Sequence, residues 1–351
     1  MTGKSGFLLY GANGYTGKLI LEVALREGLR PTLAGRRAEA IEPIAKAHGL
    51  KSLCFGLEDP GTVARLLEPF SALLLAAGPF SKTSAPALEA CLHAKTAYLD
   101  ITGEVAVFEA AFARDADAKK AGIPVLPGTG FDVVPSDCLA RALSEALPEA
   151  ETLTLAFRGF KPSAGTMKTM VENAHKGGLV RAGGKLVGVP SAWKTMEAPL
   201  PGPRLAMTIP WGDLSTAWRS TGIPDIEVYM AVPPAAVANA RRLRRLAPVL
   251  GLPFVQAFLM KRIEIMRIID PAQQKGDRVL FGATVIVENE DGKKLTYQIV
   301  GEDETEPAAG KISWRSPLGN ALLSKRVDDT AVVRKPGGEA AEYTVMEILF
   351  Q

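Results

Sequence analysis

Three cysteines and three histidines in 351 residues leave little with which to build a metal cage or a disulfide framework. Cys54, Cys91 and Cys138 are odd in number and far apart, with no Cys-x-x-Cys pair. They read as buried or idle thiols in a reducing compartment. His48, His93 and His175 are equally dispersed, so no metal site is expected. Charge of one sign is also missing. A net charge of +3 is too small for bulk attraction to nucleic acid, and no direct nucleic-acid contact is expected. No apolar run approaches the ~18 residues of a spanning helix, so no membrane partner is expected either. The opening residues 1–6 lead straight into an apolar run and leave no room for a signal peptide, which points to a cytoplasmic protein. What remains is an ordinary globular composition, 47% hydrophobic and 23% charged, long enough for two or three domains.

The most informative stretch is Phe7-Leu8-Leu9-Tyr10 followed by Gly11-Ala12-Asn13-Gly14-Tyr15-Thr16-Gly17. A short apolar run ends in three glycines spaced three apart, and a helical pattern follows over 18–26. Backbone N–H groups at such a strand-to-helix turn, with the positive end of the helix dipole, favour a phosphate or pyrophosphate. A second strand is expected over 31–34, stopping at Gly35-Arg36-Arg37. An NAD-binding unit would place an acidic residue near here, on the ribose 2′-hydroxyl. Arg36 and Arg37 stand there instead, and no carboxylate follows until Glu39. Paired guanidinium groups suit a 2′-phosphate, which points to NADP(H) rather than NAD. Two solvated surface arginines are the bland alternative.

Strand and helix patterns then alternate, with strands over 51–55 and 73–76 and a helix over 60–67. Such alternation implies a doubly wound parallel sheet, whose ligands sit beyond the carboxyl ends of the strands. That gathers Gly14, Arg36, Ala77-Gly78-Pro79 and Tyr98-Leu99-Asp100-Ile101-Thr102-Gly103-Glu104 about one crevice. The loop Gly128-Thr129-Gly130-Phe131-Asp132, leading to a helix from Pro135 or Ser136, joins them. Candidates for proton transfer are Tyr98, Asp100, Asp132 and Lys168, with His175 behind them. Each aspartate could equally cap a helix or bond a loop. Thr166 and Lys168 lie at an expected helix start suited to an anionic substrate group. Trp211 and Trp218 could line a pocket but suit a core.

The glycine turn, Ala34-Gly35-Arg36, Ala77-Gly78-Pro79-Phe80, Tyr98 to Glu104 and Gly130 to Asp137 occur in one order. Together they resemble the saccharopine-dehydrogenase-like oxidoreductases, over about residues 5–272. The resemblance implies an NADP-binding Rossmann domain, 1–150, and an α/β substrate domain, 151–272, with a homodimer by analogy. Cofactor contacts are implied at Gly11, Asn13, Gly14, Tyr15, Thr16, Gly17, Gly35, Arg36, Arg37, Ala77, Gly78, Pro79 and Gly103. It also implies reduction of a C=N or activated C=C bond in a small-molecule substrate. Residues 238–246 and 254–269 read as apolar helices with a basic face of Arg241, Arg242, Arg244, Arg245, Lys261 and Arg262. Core packing is expected of them, with a membrane-surface helix as the alternative.

Residues 276–351 change character. A β-rich run over 279–287, a hairpin at Glu290-Asp291-Gly292, a return over 295–300, Pro336-Gly337-Gly338 and a last strand over 342–350 resemble the C-terminal domain of bacterial Gre transcription elongation factors. That resemblance implies an FKBP-like α+β fold and docking on RNA polymerase. Nothing here resembles the metal-holding coiled-coil hairpin of those factors, so transcript cleavage is not carried over. The expectation is an NADP(H)-dependent reductase with an appended docking domain. The alternative is a non-catalytic NADP-binding module tethered to a partner.

Overall fold

The computed structural model describes residues 4–158, 164–200, 204–265, 274, 276–301, 304–334 and 340–350. Two compact units are present, Met1–Ile265 and Met266–Gln351.

The first unit opens with alternating strands and helices. They run β1 (Phe7–Tyr10), α1 (Tyr15–Arg26), β2 (Thr32–Gly35), α2 (Ala38–Ala47), β3 (Ser52–Cys54), α3 (Pro60–Leu67), β4 (Ala72–Leu75), α4 (Phe80–Ala94), β5 (Ala97–Asp100), α5 (Val105–Phe112), α6 (Asp115–Ala121), β6 (Val125–Leu126) and α7 (Val134–Ala146). The strands form one parallel sheet in the order β3-β2-β1-β4-β5-β6. Leu8, Leu9, Leu33, Leu73 and Leu75 are fully buried because helices cover both faces. The order reverses between β1 and β4, and that is where such a sheet opens a crevice at its carboxyl edge.

A second sheet follows, and it is mixed. Its elements are β7 (Thr152–Arg158), α8 (Ala164–Asn173), β8 (Gly178–Ala182), β9 (Lys185–Val189), β10 (Thr195–Glu197), β11 (Leu205–Thr208), α9 (Asp213–Thr221) and β12 (Asp225–Ala231). β12 pairs in parallel with β7 along its whole length, and antiparallel with β11 and β8. Leu153, Leu155, Leu214, Ala217, Ile226 and Val228 form its core, with Trp211 and Trp218 packed on the edge. Both tryptophans therefore serve the core.

The unit ends in α10 (Pro234–Leu243), a 3₁₀ turn over Arg244–Leu246, α11 (Ala247–Leu250) and α12 (Pro253–Ile265). Core packing is met only by α10, where Val237 and Ala240 pack with Ala192 and Val232, and positions 266–269 of the second expected helix lie outside the described residues. Leu243, Leu246, Val249, Leu252, Phe254 and Phe258 are all exposed. Pro248, Gly251 and Pro253 break the segment into pieces too short to lay one continuous apolar stripe on the sheet.

The second unit carries β13 (Thr284–Asn289), β14 (Lys294–Val300), β15 (Lys311–Ser313), α13 (Pro317–Leu322), β16 (Thr330–Arg334) and β17 (Ala340–Leu349). The sheet order is β15-β14-β13-β17-β16, with only β14 and β15 parallel. At the β13–β14 hairpin the Asn289 side chain accepts from Lys293 N at 2.8 Å and Gly292 takes φ +73°. Ser316 caps α13 by accepting from Gly319 N at 3.0 Å. Pro336-Gly337-Gly338, Lys275 and Ser163 lie outside the described residues.

Candidate functional site

The glycine turn follows from steric need. Gly11 takes φ +91°, and a β-carbon there would sit 2.9 Å from Ala76 C and from Ala77 N. The loops after β1 and β4 therefore touch at the switch point, as only glycine permits. A β-carbon at Gly17 would lie 2.2 Å from Gly11 O, so this glycine lets α1 start hard against the turn. Gly14 stands at the N-cap of α1 in extended conformation. No side chain caps the helix, and no acidic residue occupies its first turn. The opening of α1 is left to a ligand or to water. Among the described residues no group of three or more His, Cys, Asp or Glu is arranged to hold a metal.

Arg36 and Arg37 are exposed just beyond β2, and Gly35 is buried as its last residue. Beneath them Tyr10 is buried and donates its hydroxyl to Phe55 O at 2.8 Å. Burial pushes its phenol up to about 12, against the pull of the Arg36 charge. Asn13 and Tyr15 are exposed on the turn, and Thr16 is half-buried. The residues fit the expected ligand: a backbone cradle that side chains would fill, with two free-standing guanidinium groups at the end of the neighbouring strand.

Beyond β4, the Gly78–Pro79 bond is cis and α4 begins at Phe80. The Glu104 carboxylate accepts from Phe80 N at 3.0 Å, and burial raises its pKa. Ser81 donates to Glu172 at 3.2 Å, which brings the end of α8 over this loop. Lys168 is half-buried on α8, one turn before Glu172 and on the same face.

Tyr98 and Asp100 occupy alternate positions of β5, hence one face, and both are fully buried. Tyr98 donates its hydroxyl to Asp100 Oδ2 at 2.6 Å, while Thr102 N and Gly128 N donate to Oδ1 at 3.0 and 2.7 Å. Burial raises both pKa values; the three donors act against burial at Asp100. The aspartate thus ties the end of β5 to the loop at Gly128. With neither side chain reaching the surface, proton transfer to a substrate is not what this pair is placed to do. Sequence reading put Asp100 at the strand end correctly but not on its inward face.

Asp132 lies half-buried against Gly103, where an added β-carbon would fall 2.5 Å from its Oδ2. Burial raises its pKa, and Trp211 Nε1 donates to its main-chain oxygen. Two residues past Trp211 stands Asp213, which the sequence alone does not single out. It is fully buried, and neither carboxylate oxygen has a hydrogen-bond partner. The neighbouring Ser136 hydroxyl eases its charge but donates to Val133 O at 3.3 Å. Burial, reinforced by Asp137 and Asp132, pushes its carboxyl up to about 7. His175 stands apart from these groups, against Gly251.

The structure thus brings Gly11 to Gly17, Ala77 to Ser81, Gly103, Glu104, Asp132 and the end of α8 to one edge of the parallel sheet. It leaves His175 elsewhere and buries Tyr98 and Asp100 behind that edge. Comparison with known proteins agrees in two separate places. The saccharopine dehydrogenase NADP binding domain matches residues 7–126, and the C-terminal part of transcription elongation factor GreA/GreB matches 273–350. Transcription elongation factor GreA of Sphingopyxis alaskensis is 47% identical over 92 residues, 26% of this chain and 58% of that protein. Transcription elongation factor GreB of Yersinia pestis is 44% identical over 94 residues, 27% of this chain and 54% of that protein. The chain therefore spans little more than half the length of these curated relatives. Among solved structures, apo saccharopine dehydrogenase (L-Glu forming) from Saccharomyces cerevisiae superposes with a TM-score of 0.49 at 15% identity. That match covers 65% of this chain and 55% of the yeast protein. The chain joins a saccharopine dehydrogenase-type NADP-binding domain to a GreA/GreB C-terminal domain.

Proposed function

We propose that this protein is an NADP(H)-dependent oxidoreductase that reduces a C=N or activated C=C bond in a small molecule, and that its GreA/GreB-like unit serves docking. The observation that carries the reading is the pairing of an uncapped glycine turn at α1 with exposed Arg36 and Arg37 beyond β2. Gly11, Gly14, Gly17 and the backbone of Asn13 to Thr16 would take the pyrophosphate. Arg36 and Arg37 would take the 2′-phosphate, with Gly35 before them letting Ile41 of α2 pack close. Ala77, Gly78, Pro79 and Gly103 would shape the floor beside the nicotinamide, which supplies or accepts a hydride when bound. Asp132, whose pKa burial raises, would hold the proton that a reduced bond requires. Lys168 would orient an anionic substrate group. Tyr98 and Asp100 we assign to positioning. The division into 1–150, 151–272 and 276–351, the FKBP-like character of the last part, a homodimer and a cytoplasmic location belong to the same proposal.

Titration of the full chain with each cofactor tests the core of it. NADPH is expected to bind at least tenfold more tightly than NADH, because a 2′-phosphate held by two arginines gains charge-assisted bonds that NADH lacks. Arg36→Asp with Arg37→Asp should remove that preference. Equal affinity in the parent chain would sink the assignment. Turnover is tested by NADPH oxidation with a panel of enoyl and imine compounds, in which Asp132→Asn should lower kcat more than it changes KM.

The burial of Tyr98 and Asp100 favours one alternative, a non-catalytic NADP-binding module tethered to RNA polymerase through residues 276–351. It predicts NADPH binding without turnover, and retention by RNA polymerase that is lost when those residues are removed. Absence of retention at low salt would count against tethering.

A further inference from the structure

The segment from α10 to α12 is unlike the rest of the first unit in two respects that coincide. Between Glu227 and Glu264 the chain contains no acidic residue, yet it carries Arg241, Arg242, Arg244, Arg245, Lys261 and Arg262. Within the same stretch Leu243, Leu246, Val249, Leu252, Phe254 and Phe258 are exposed, the two phenylalanines by 70% and 62%. Phe254 and Phe258 share one face of α12. The opposite face holds the helix down: Gln256 Nε2 donates to Val171 O of α8 at 3.0 Å and to Leu250 O at 2.6 Å. All six cations are exposed as well. Arg241 keeps one bond inward, donating Nε to Ala192 O at 3.4 Å.

From this we infer that the α10–α12 segment docks on an anionic bilayer surface, with Phe254 and Phe258 entering the headgroup boundary and the arginines meeting lipid phosphates. The physical case is charge complementarity combined with apolar area. Exposed aliphatic and aromatic side chains gain free energy by leaving water, and interspersed cations gain it near an anionic leaflet. A second copy of the chain fits this face poorly. A two-fold contact would set six cations against six, with Glu264 at the end of α12 the one carboxylate in the segment to offset them. A polyanion alone fits poorly too, because Leu243, Leu246, Val249 and Leu252 gain nothing from a solvated phosphate backbone. The helices are short and interrupted, and among the described residues none is long and apolar enough to cross a membrane. They would lie on the surface.

Flotation of the full chain with phosphatidylcholine vesicles, with and without a minor share of phosphatidylglycerol, tests this. Retention is expected only on the anionic vesicles and should fall steeply as salt rises. Arg244→Gln or Arg245→Gln should each weaken partition about fivefold. Phe254→Ser with Phe258→Ser should weaken it more than tenfold while leaving NADPH affinity unchanged, since both side chains are already in water in the folded chain. No retention on anionic vesicles at low salt would overturn the inference, as would equal retention on neutral ones. A dimer in sedimentation equilibrium that disappears in the double serine variant would reassign the face to self-association. Capture of a single-stranded oligonucleotide that needs the arginines but not the phenylalanines would reassign it to a polyanion.

Discussion

The parallel sheet and the mixed sheet of the first unit each bury an aspartate completely, and they treat it in opposite ways. Asp100, in the parallel sheet, receives three donors: the Tyr98 hydroxyl and the N–H groups of Thr102 and Gly128. Asp213, at the start of α9 against the mixed sheet, receives none. Close by, the buried Arg181 of β8 is fully engaged. It donates to Leu214 O, to Gly184 O at 2.8 Å and to Glu109 Oε1 at 2.8 Å, with the Trp218 ring 5.4 Å away. So burial alone does not decide the state of an ionisable group. Burial raises both carboxyls; at Asp100 three donors oppose it, at Asp213 only the neighbouring Ser136 hydroxyl does, while the same mixed sheet engages its buried cation fully.

The sharpest way to break this contrast is Asp213→Asn. A carboxyl raised from 3.8 to about 7 keeps its proton in the folded chain while the unfolded chain loses it. Stability is therefore lost as pH climbs from about 4 to about 7, by up to about 4 kcal/mol. Denaturation at pH 8 should find the asparagine variant more stable by a large part of that amount. Below the unfolded pKa the two chains should converge. A variant no more stable at pH 8 would mean that Asp213 has a partner after all. Next in size is Arg181→Ala. It should cost about 3 kcal/mol, because it strands two carbonyls and a partly buried carboxylate, as urea titration would register. Smallest is Asp100→Asn. The amide oxygen still accepts from Thr102 and Gly128 and the Tyr98 hydroxyl can turn to accept, so a loss of about 1 kcal/mol is expected. Because burial raises this carboxyl too, the loss should shrink as pH rises. A gain at pH 8 as large as that of Asp213→Asn would erase the distinction between the two sheets.

The same two regions differ in how openly the sequence displays them. The strands of the parallel sheet are short apolar runs, such as Leu8-Leu9 and Leu73-Leu74-Leu75, each followed by glycine or a helix start. Their periodicity is legible because both faces are covered. In the mixed sheet, β9 (Lys185–Val189) has a short apolar pair, Leu186-Val187, cut off by Gly188, and β10 (Thr195–Glu197) has none; the side chains of both are exposed or half-buried. They exist because β8 and β11 offer edges to pair with, and such tertiary information is absent from a local pattern. In the site, the glycine turn and the two arginines were legible since each rests on local geometry. The inward turn of Asp100 could have been read from its spacing with Tyr98, two residues apart on one strand. The burial of Asp213 could not, because it depends on α7, distant in sequence, bringing Ser136 and Asp137 up to it. The exposure of Phe254 and Phe258 was hidden for a related reason: apolar content is visible in a sequence, but which face finds a neighbour is not.

Glu104 gives the crevice a polarity. Two helices begin at the switch point, α1 after β1 and α4 after β4, and each offers backbone N–H groups and the positive end of a dipole. At α4 the place is taken by the protein's own carboxylate, bonded to Phe80 N. At α1 no side chain stands in the way. An elongated guest with a charged end and a neutral end therefore meets one welcoming terminus and one already filled by an anion. Under the proposed function, the direction of that guest would be set before any contact with the neutral end is made. Glu104→Gln would soften that asymmetry, and Glu104→Lys would reverse it, without altering a single residue of the glycine turn.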